Sequence, residues 1–313
     1  MSRLPLLVLV GPTAVGKTQL SLRLAEELDG EIVSADSMQV YKFMDIGTAK
    51  PTPEERRRIP HYLLDVCLPN ESFSVARYQR LAWDAIANIH RRGRFPILTG
   101  GTGLYVQAVV DGLNFPPQPS DKQYRAKLQA LAQEEGPEAV HRLLQRVDPE
   151  TASRIHPNNL RRVVRALEIC RCTGRPMSAH LKEEPRQKPP YDLHMYGLTR
   201  DRSELYERIN RRVDEMIAAG LVAEVKVLVE MGFAEGKTAL QALGYKEILA
   251  YLQGLLTFEE AVELLKRDTR RYAKRQLTWF RRDRRIRWFN LSEITVAQVI
   301  TTITQDMLKA LAE

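Results

Sequence analysis

The residues best suited to chemistry come first. Gly11-Pro12-Thr13-Ala14-Val15-Gly16-Lys17-Thr18 fits G-x-x-x-x-G-K-[ST] in full. Glycine at both ends lets the backbone N–H groups turn inward onto phosphate oxygens, and the dipole of a following helix adds positive potential there. Lys17 can reach a terminal phosphate, and the Thr18 hydroxyl can ligate Mg²⁺. Taken alone, the loop implies nucleotide binding, with ATP as the ordinary ligand. A P-loop hydrolase also needs a carboxylate closing a neighbouring apolar strand. Here the run Ile97-Leu98-Thr99 ends in Gly100-Gly101-Thr102 instead. The carboxylates near strand ends are Asp36, beside Ser37, and Asp65, after the short run Tyr62-Leu63-Leu64. Ordinary ATP hydrolysis is therefore disfavoured. Asp36 can serve as a metal ligand, a general base, or a turn-capping aspartate.

These groups need a sheet to bring them together. Leu6 to Val10 is an unbroken apolar run, as in a strand of a parallel sheet buried on both faces. Leu20, Leu24 and Leu28 then recur at helical spacing, with Gly30 as the expected helix stop. Residues 31–35 read as a strand ending at Asp36, 75–90 as a helix, 96–99 as a strand, and the segment to Val110 as a helix. Strand and helix alternate, which predicts an α/β fold: a P-loop NTPase-like parallel sheet core. In such sheets ligands sit at the carboxyl ends of the strands. The P-loop, the Asp36 turn and Gly100-Gly101-Thr102 should converge there. Asn114 to Ser120 and Lys188-Pro189-Pro190 interrupt the pattern. Between them only helical periodicity is visible, at 124–132, 137–145 and 159–172, the last preceded by an Asn158/Asn159 cap. The expected organisation is a core of residues 1–113 and 191–313 with a helical insertion at 114–190. Residues 193–198 read as a strand, the chain is then helical to about Arg282, and 286–291 is a further strand candidate.

The chain has 313 residues, 44% hydrophobic and 27% charged, with a net charge of +8. The charge is local. Residues 114–190 carry 14 Lys and Arg against 9 Asp and Glu, and Lys266 to Arg287 holds 11 basic and 2 acidic residues. Such patches fit a polyanionic partner or solvated helix faces. In the second stretch, Leu277 and Phe280 are expected on one core-facing side. No apolar run approaches the roughly 18 residues of a membrane span, and no signal peptide is read. Three cysteines with one Cys170-x-Cys172 spacing make neither a disulfide framework nor a zinc site. His156 is expected to be structural. A reducing, cytoplasmic setting is expected.

The P-loop, Ser34-Ala35-Asp36-Ser37-Met38-Gln39-Val40-Tyr41-Lys42, Met44-Asp45-Ile46-Gly47-Thr48-Ala49-Lys50-Pro51 and Gly100-Gly101-Thr102 together resemble the tRNA dimethylallyltransferases, also called tRNA isopentenyltransferases. The resemblance continues through Asp148-Pro149, 154–158, 161–168, Gly244-Tyr245 and 269–281, nearly the whole chain, in the bacterial form without a C-terminal zinc finger. It implies transfer of a dimethylallyl group from dimethylallyl diphosphate to N6 of the adenosine just 3′ of a tRNA anticodon. The P-loop (Gly11 to Thr18) would then hold the departing diphosphate with Mg²⁺ on Thr18. Asp36 matches the family's base, and Thr102 the residue that hydrogen-bonds the adenine. Ser37, Met38 and Gln39 would line the RNA base, with Gln39 reading its edge. Arg208 and Arg212, four apart on one helix face, match arginines near the diphosphate, Arg212 above all. Arg208 can equally pair with Glu204. Arg161, Arg162 and Arg165 in the insertion would meet the anticodon stem-loop, and a monomer suffices for that. Two other classes stay open: a P-loop kinase for a small molecule or nucleoside, and an RNA-binding protein with a relic P-loop.

Overall fold

The computed structural model describes residues 4–115, 121–183, 189–233 and 239–312. Residues 116–120 of the first Pro-rich break and Lys188 of the second lie outside them. The chain divides into two compact units, Met1–Val110 with Pro189–Glu313, and Asp111–Lys188.

The first unit begins β1 (Leu4–Val10), α1 (Lys17–Glu27), β2 (Gly30–Ser34), α2 (Pro53–Arg58), β3 (His61–Tyr62), α3 (Val75–Arg91), β4 (Phe95–Gly100) and α4 (Gly103–Asp111). The second unit holds α5 (Lys122–Glu135), α6 (Pro137–Val147), α7 (Pro149–Arg154), α8 (Leu160–Thr173) and α9 (Met177–Glu183). The first unit resumes with β5 (Tyr191–Thr199), α10 (Arg202–Ala218), α11 (Leu221–Glu230), a 3₁₀ turn at Ala239–Gln241, α12 (Tyr245–Leu252), α13 (Phe258–Phe280), β6 (Arg287–Asn290) and α14 (Val296–Ala312).

The six strands form one sheet in the order β3-β2-β4-β1-β5-β6, with every pairing parallel. This is the α/β class that the alternation implies. Because all strands run the same way, the P-loop after β1, Asp36 after β2, Gly101 after β4 and Arg200 after β5 leave from one edge. Side-chain alternation splits β1 between two cores. Leu6, Val8 and Val10 join Val33, Leu98 and the α3–α4 helices on one face. Leu7 and Leu9 join Ile32, Ile97, Leu20 of α1 and Ile303 of α14 on the other. Helix α13 straddles the two: Phe280 belongs to the first core, whereas Ala273 and Leu277 pack with the second. The single-face expectation for Leu277 and Phe280 thus gives way to a helix that crosses the sheet edge. Gly30 does not end α1 either. Asp29 takes the left-handed conformation (φ 49), and Gly30 opens β2, where a Cβ would lie 2.8 Å from the Phe95 carbonyl oxygen.

In the second unit Leu128, Val140, Leu144, Val163 and Leu167 form the core. Glu168 is fully buried there. It accepts hydrogen bonds from Arg125 (2.8 Å), Arg165 (2.6 Å) and the Asp121 N–H (3.0 Å). Helices α7 and α9, of six and seven residues, are too short to show a period and were not legible as sequence. Asn159 precedes α8 but makes no side-chain cap bond. Instead His156 Nδ1 accepts from the Asn158 N–H at 3.2 Å. All three cysteines are free. Among the described residues no helix is long and apolar enough to cross a membrane.

Candidate active site

The P-loop is strained in the way anion cradles are. Gly11 has φ 153 and Gly16 φ 114, and Ala14 is left-handed at φ 62. A Cβ on Gly11 would come within 2.7 Å of the Leu198 carbonyl oxygen, so β5 packs against the loop too closely for any other residue. Lys17 folds back over the loop, its Nζ donating to the carbonyls of Gly11 (2.9 Å) and Pro12 (2.8 Å). Burial and the nearby Arg212 push its pKa down to about 7, with Asp36 pulling the other way. Thr18 stands exposed in the first turn of α1. Arg208 donates from Nε to the Ala14 carbonyl (3.0 Å) and Arg200 to that of Val15 (3.1 Å). The alternative partner for Arg208, Glu204, is engaged instead by Arg200 and Ser292. Arg208 therefore braces the loop backbone.

Beside the loop, β2 and β4 converge so tightly that a Cβ on Gly100 would fall 2.2 Å from the Ala35 carbonyl oxygen. The turn that follows β2 is closed by Asp36, whose Oδ1 accepts from the N–H groups of Met38 (2.8 Å) and Gln39 (3.3 Å). Both a turn role and a place on the cavity wall belong to Asp36. Thr102 Oγ1 accepts from the Ser37 N–H (3.0 Å) and donates to Ser37 Oγ (3.3 Å). It bonds also to Tyr272, whose hydroxyl is pushed to a high pKa by burial and by Asp36. Thr102 is thus tied to the Asp36 turn. Gln39 lines the same cavity and also braces a loop. Its amide donates to the carbonyls of Thr48 and Ala49 (3.2 Å each) and its oxygen accepts from Ser34 (3.0 Å), so it supports the 48–49 loop.

Helices α10 and α13 complete the site. Arg212, enclosed on α10, has its pKa lowered by burial, with Asp36 and Glu215 opposing. From α13, Gln276 bridges the Thr13 N–H and the Gly101 carbonyl, at 2.9 Å each. Glu224 of α11 gathers the N–H groups of Asp45 (2.9 Å), Ile46 (2.8 Å) and Gly47 (3.1 Å) and the Tyr245 hydroxyl (2.6 Å) on one carboxylate. Neither Gln276 nor Glu224 stood out in the sequence. Gln276 carried one signal: Ala273, Gln276 and Phe280 share a buried stripe, and a polar residue there must be hydrogen-bonded.

A cavity of about 450 Å³ is lined by Lys17, Thr18, Asp36, Arg208, Arg212 and Gln276, among others. A second, of about 320 Å³, has Met38, Ile209, Val213, Met216 and Leu265 in its walls. They share Thr13, Ala14, Asp36, Thr48, Arg212 and Tyr272. The site is therefore a polar, P-loop-lined cradle and a more apolar chamber meeting at Asp36. Asp65 takes no part; its carboxylate is bound by Lys50 (2.6 Å) and Arg56 (2.8 Å). Among the described residues no cluster of three His, Cys, Asp or Glu could cage a metal. Two oxygen donors, Thr18 and Asp36, face the cradle. That set suits Mg²⁺, which takes one or two protein oxygens and completes its shell with phosphates and water.

Of the arginines expected to meet RNA, Arg161 and Arg162 are exposed on α8, whereas Arg165 is held by Glu168. In the C-terminal basic stretch Lys266, Arg270 and Arg287 are bound to Asp214, Asn210 and Asp306 (2.8, 2.6 and 2.8 Å). Arg281, Arg282 and Arg284 are exposed.

The chain resembles several known proteins over most of its length. Residues 39–283 match the family model described as IPP transferase. The tRNA dimethylallyltransferase of Carboxydothermus hydrogenoformans is 52% identical over 298 residues, covering 95% of this chain and 96% of its own. A full-length crystal structure of a tRNA isopentenylpyrophosphate transferase from Bacillus halodurans superposes with a TM-score of 0.73, at 48% identity over 98% of this chain and 97% of that one. A eukaryotic dimethylallyltransferase, captured in crystals acting on tRNA, gives 0.82 at 30% identity, covering 99% and 80%.

Proposed function

This chain belongs to the IPP transferase family, and from that premise we propose that it is a tRNA dimethylallyltransferase. It moves a dimethylallyl group from dimethylallyl diphosphate to N6 of the adenosine next to the anticodon on its 3′ side, releasing pyrophosphate. The observation that carries this reading is the meeting of a complete P-loop with Asp36 in one cavity, while β4 runs out through Gly100-Gly101-Thr102 where a hydrolase would carry a carboxylate.

N6 of adenine is a weak nucleophile because its lone pair is delocalised into the ring. As N6 bonds to the allylic carbon, that carbon's bond to oxygen breaks and the electron pair leaves on pyrophosphate. The N6 proton passes to the Asp36 carboxylate, a form of catalysis typically worth 10²- to 10⁴-fold. The two N–H groups on Oδ1 fix the carboxylate's orientation. Charge growing on the leaving oxygen is met by the P-loop amides, Lys17 and Arg212. Mg²⁺, with Thr18 as its protein oxygen, would add Lewis-acid neutralisation of the diphosphate. Thr102 and Tyr272 hold the Asp36 turn where an extruded base would arrive. Ser37 and Met38 line the chamber on that side.

The helical unit carries the RNA reading. Exposed Arg161 and Arg162 are suited to phosphates of the anticodon stem-loop, and Arg165 orders that helix through Glu168. A monomer suffices for the task, and three free thiols suit a cytoplasmic enzyme. The test is incubation with labelled dimethylallyl diphosphate, tRNA and Mg²⁺. Label in tRNA as N6-prenyl adenosine is expected, and its loss on chelation. Phosphorylation of a nucleoside by ATP without any prenyl transfer would favour the kinase reading instead.

A further inference from the structure

Helix α13 lies along the turn that leaves β4, and three of its residues meet that turn in register. The Tyr272 hydroxyl bonds to Thr102 and to Gln276. The Gln276 Nε2 donates to the Gly101 carbonyl at 2.9 Å. Trp279 covers Gly103, where a Cβ would fall 2.2 Å from the indole Cδ1. Positions 272, 276 and 279 follow the i, i+4, i+7 spacing of one helix face. Gln276 also reaches the P-loop: its Oε1 accepts from the Thr13 N–H at 2.9 Å. The residue is 6% exposed, so its amide is fixed by these partners.

The two bonds join halves of the site that lie on different loops. Thr13 belongs to the loop that would hold the donor. Gly101 precedes Thr102, whose Oγ1 accepts from the Ser37 N–H at 3.0 Å and whose own N–H donates to the Ala35 carbonyl at 3.1 Å. The β4 turn is thereby tied to Asp36. Strand pairing fixes the sheet as far as Val10, Gly100 and Ser34. Beyond those residues side chains must hold the loops, and the Gln276 amide links the P-loop directly to the β4 turn. Transfer needs the allylic carbon and N6 to meet at about 3 to 3.5 Å, and a displacement of about 1 Å can slow a reaction by about 100-fold.

We infer that Gln276 is a positioning residue: its amide sets the separation between the P-loop and the Asp36–Thr102 turn, and with it the approach of the allylic carbon to N6. The inference rests on the reading of the site as a prenyl transferase. Gln276 acts through Thr13 and Gly101, so its loss should fall on the chemical step and spare the affinity for either substrate.

Two variants break the link from opposite sides. Gln276→Ala removes the amide. Gly101→Ala keeps it but sets a Cβ 2.1 Å from Nε2, which must move away. The nearest atom outside Gln276 is the Gly11 carbonyl oxygen at 3.6 Å, an ordinary contact, and Gly101 is not left-handed. The measurement is single-turnover transfer of labelled dimethylallyl to tRNA by the full chain with Mg²⁺, read beside the donor KM, the tRNA Kd and the thermal midpoint. Each variant should transfer about 10- to 100-fold more slowly, with KM and Kd within about threefold of wild type. In the double variant the new methyl enters the space the amide vacates, so its rate should stay within about threefold of Gln276→Ala. A lowered midpoint with a near-normal rate, a loss confined to KM or Kd, or losses that multiply in the double variant would each overturn the inference and leave the prenyl-transfer reading standing. If Gln276→Ala does not fold, Gly101→Ala, which keeps every side chain, decides. Absence of transfer by the wild type would instead overturn the reading on which the inference rests.

Discussion

A lysine with a pKa near 7 would make the proposed diphosphate binding a proton-coupled event. Lys17 is pushed there by burial and by Arg212. At pH 8 such a group is about 10% protonated before ligand arrives. A diphosphate oxygen about 4 Å away, at an effective dielectric near 20, favours the ammonium by about 4 kcal/mol per charge, or about 3 pKa units. Binding should then draw about 0.9 proton onto Lys17 at pH 8, about 0.5 at pH 7 and about 0.1 at pH 6. The assay is titration calorimetry with Mg²⁺-pyrophosphate in buffers of different ionisation enthalpy; the slope against buffer enthalpy counts protons. Lys17→Arg, whose guanidinium stays charged, supplies the ligand's own contribution and should take up about 0.9 fewer protons at pH 8. Equal uptake by the two proteins at pH 8 would refute the reasoning. The sign for stability follows from the same shift. The unfolded chain holds its proton up to about 10.5 and the folded one only to about 7, so between those values this group makes the free protein more stable as pH rises.

Glu224→Ala should free three loop N–H groups and the Tyr245 hydroxyl, costing about 3 kcal/mol in urea unfolding. Because Gly47 and Thr48 line the site, it should also raise KM. Glu168→Ala should loosen the helical unit by about 2 to 3 kcal/mol, moderated because Arg125 and Arg165 can reach solvent; proteolysis or hydrogen exchange confined to residues 121–183 would show it. Burial pushes the Glu168 carboxyl up, but the hydrogen bonds from Arg125 and Arg165 outweigh it and leave the pKa below 4.5. Its stabilisation is therefore present above that value and lost as pH falls through the lower folded pKa, so the helical unit should open first in acid. Arg161→Ala and Arg162→Ala should each reduce the salt dependence of tRNA affinity by about one ion, with kcat at saturating tRNA unchanged.

Much of this was legible in the sequence because it depends on local rules. The apolar run Leu6 to Val10 and the P-loop after it needed only a strand–loop–helix grammar, and the alternation of elements fixed the parallel sheet. Asp36 was visible as a carboxylate at a strand end. What escaped depends on contacts across long separations. Gln276 lies 263 residues from Thr13, and Glu224 lies 179 from Asp45. No spacing rule joins them. The support that Gln39 gives the 48–49 loop escaped for the same reason: its partners Thr48 and Ala49 belong to a loop whose return path is fixed by Lys50, Asp65 and Glu224. Arg161, Arg162 and Arg165 looked equivalent as charges, and only the buried Glu168 separates the third from the others.

Asp36 as the proton acceptor is the centre of the proposed mechanism, and Asp36→Asn tests it most directly. Asparagine keeps an oxygen for the Met38 and Gln39 N–H groups, so the turn should persist while the base is lost. Single-turnover transfer of labelled dimethylallyl to tRNA is the measurement, read beside the variant's tRNA affinity. The expected result is a rate lower by 10²- to 10⁴-fold with tRNA binding within about threefold of wild type. A rate within tenfold of wild type would contradict the assignment of Asp36 as base.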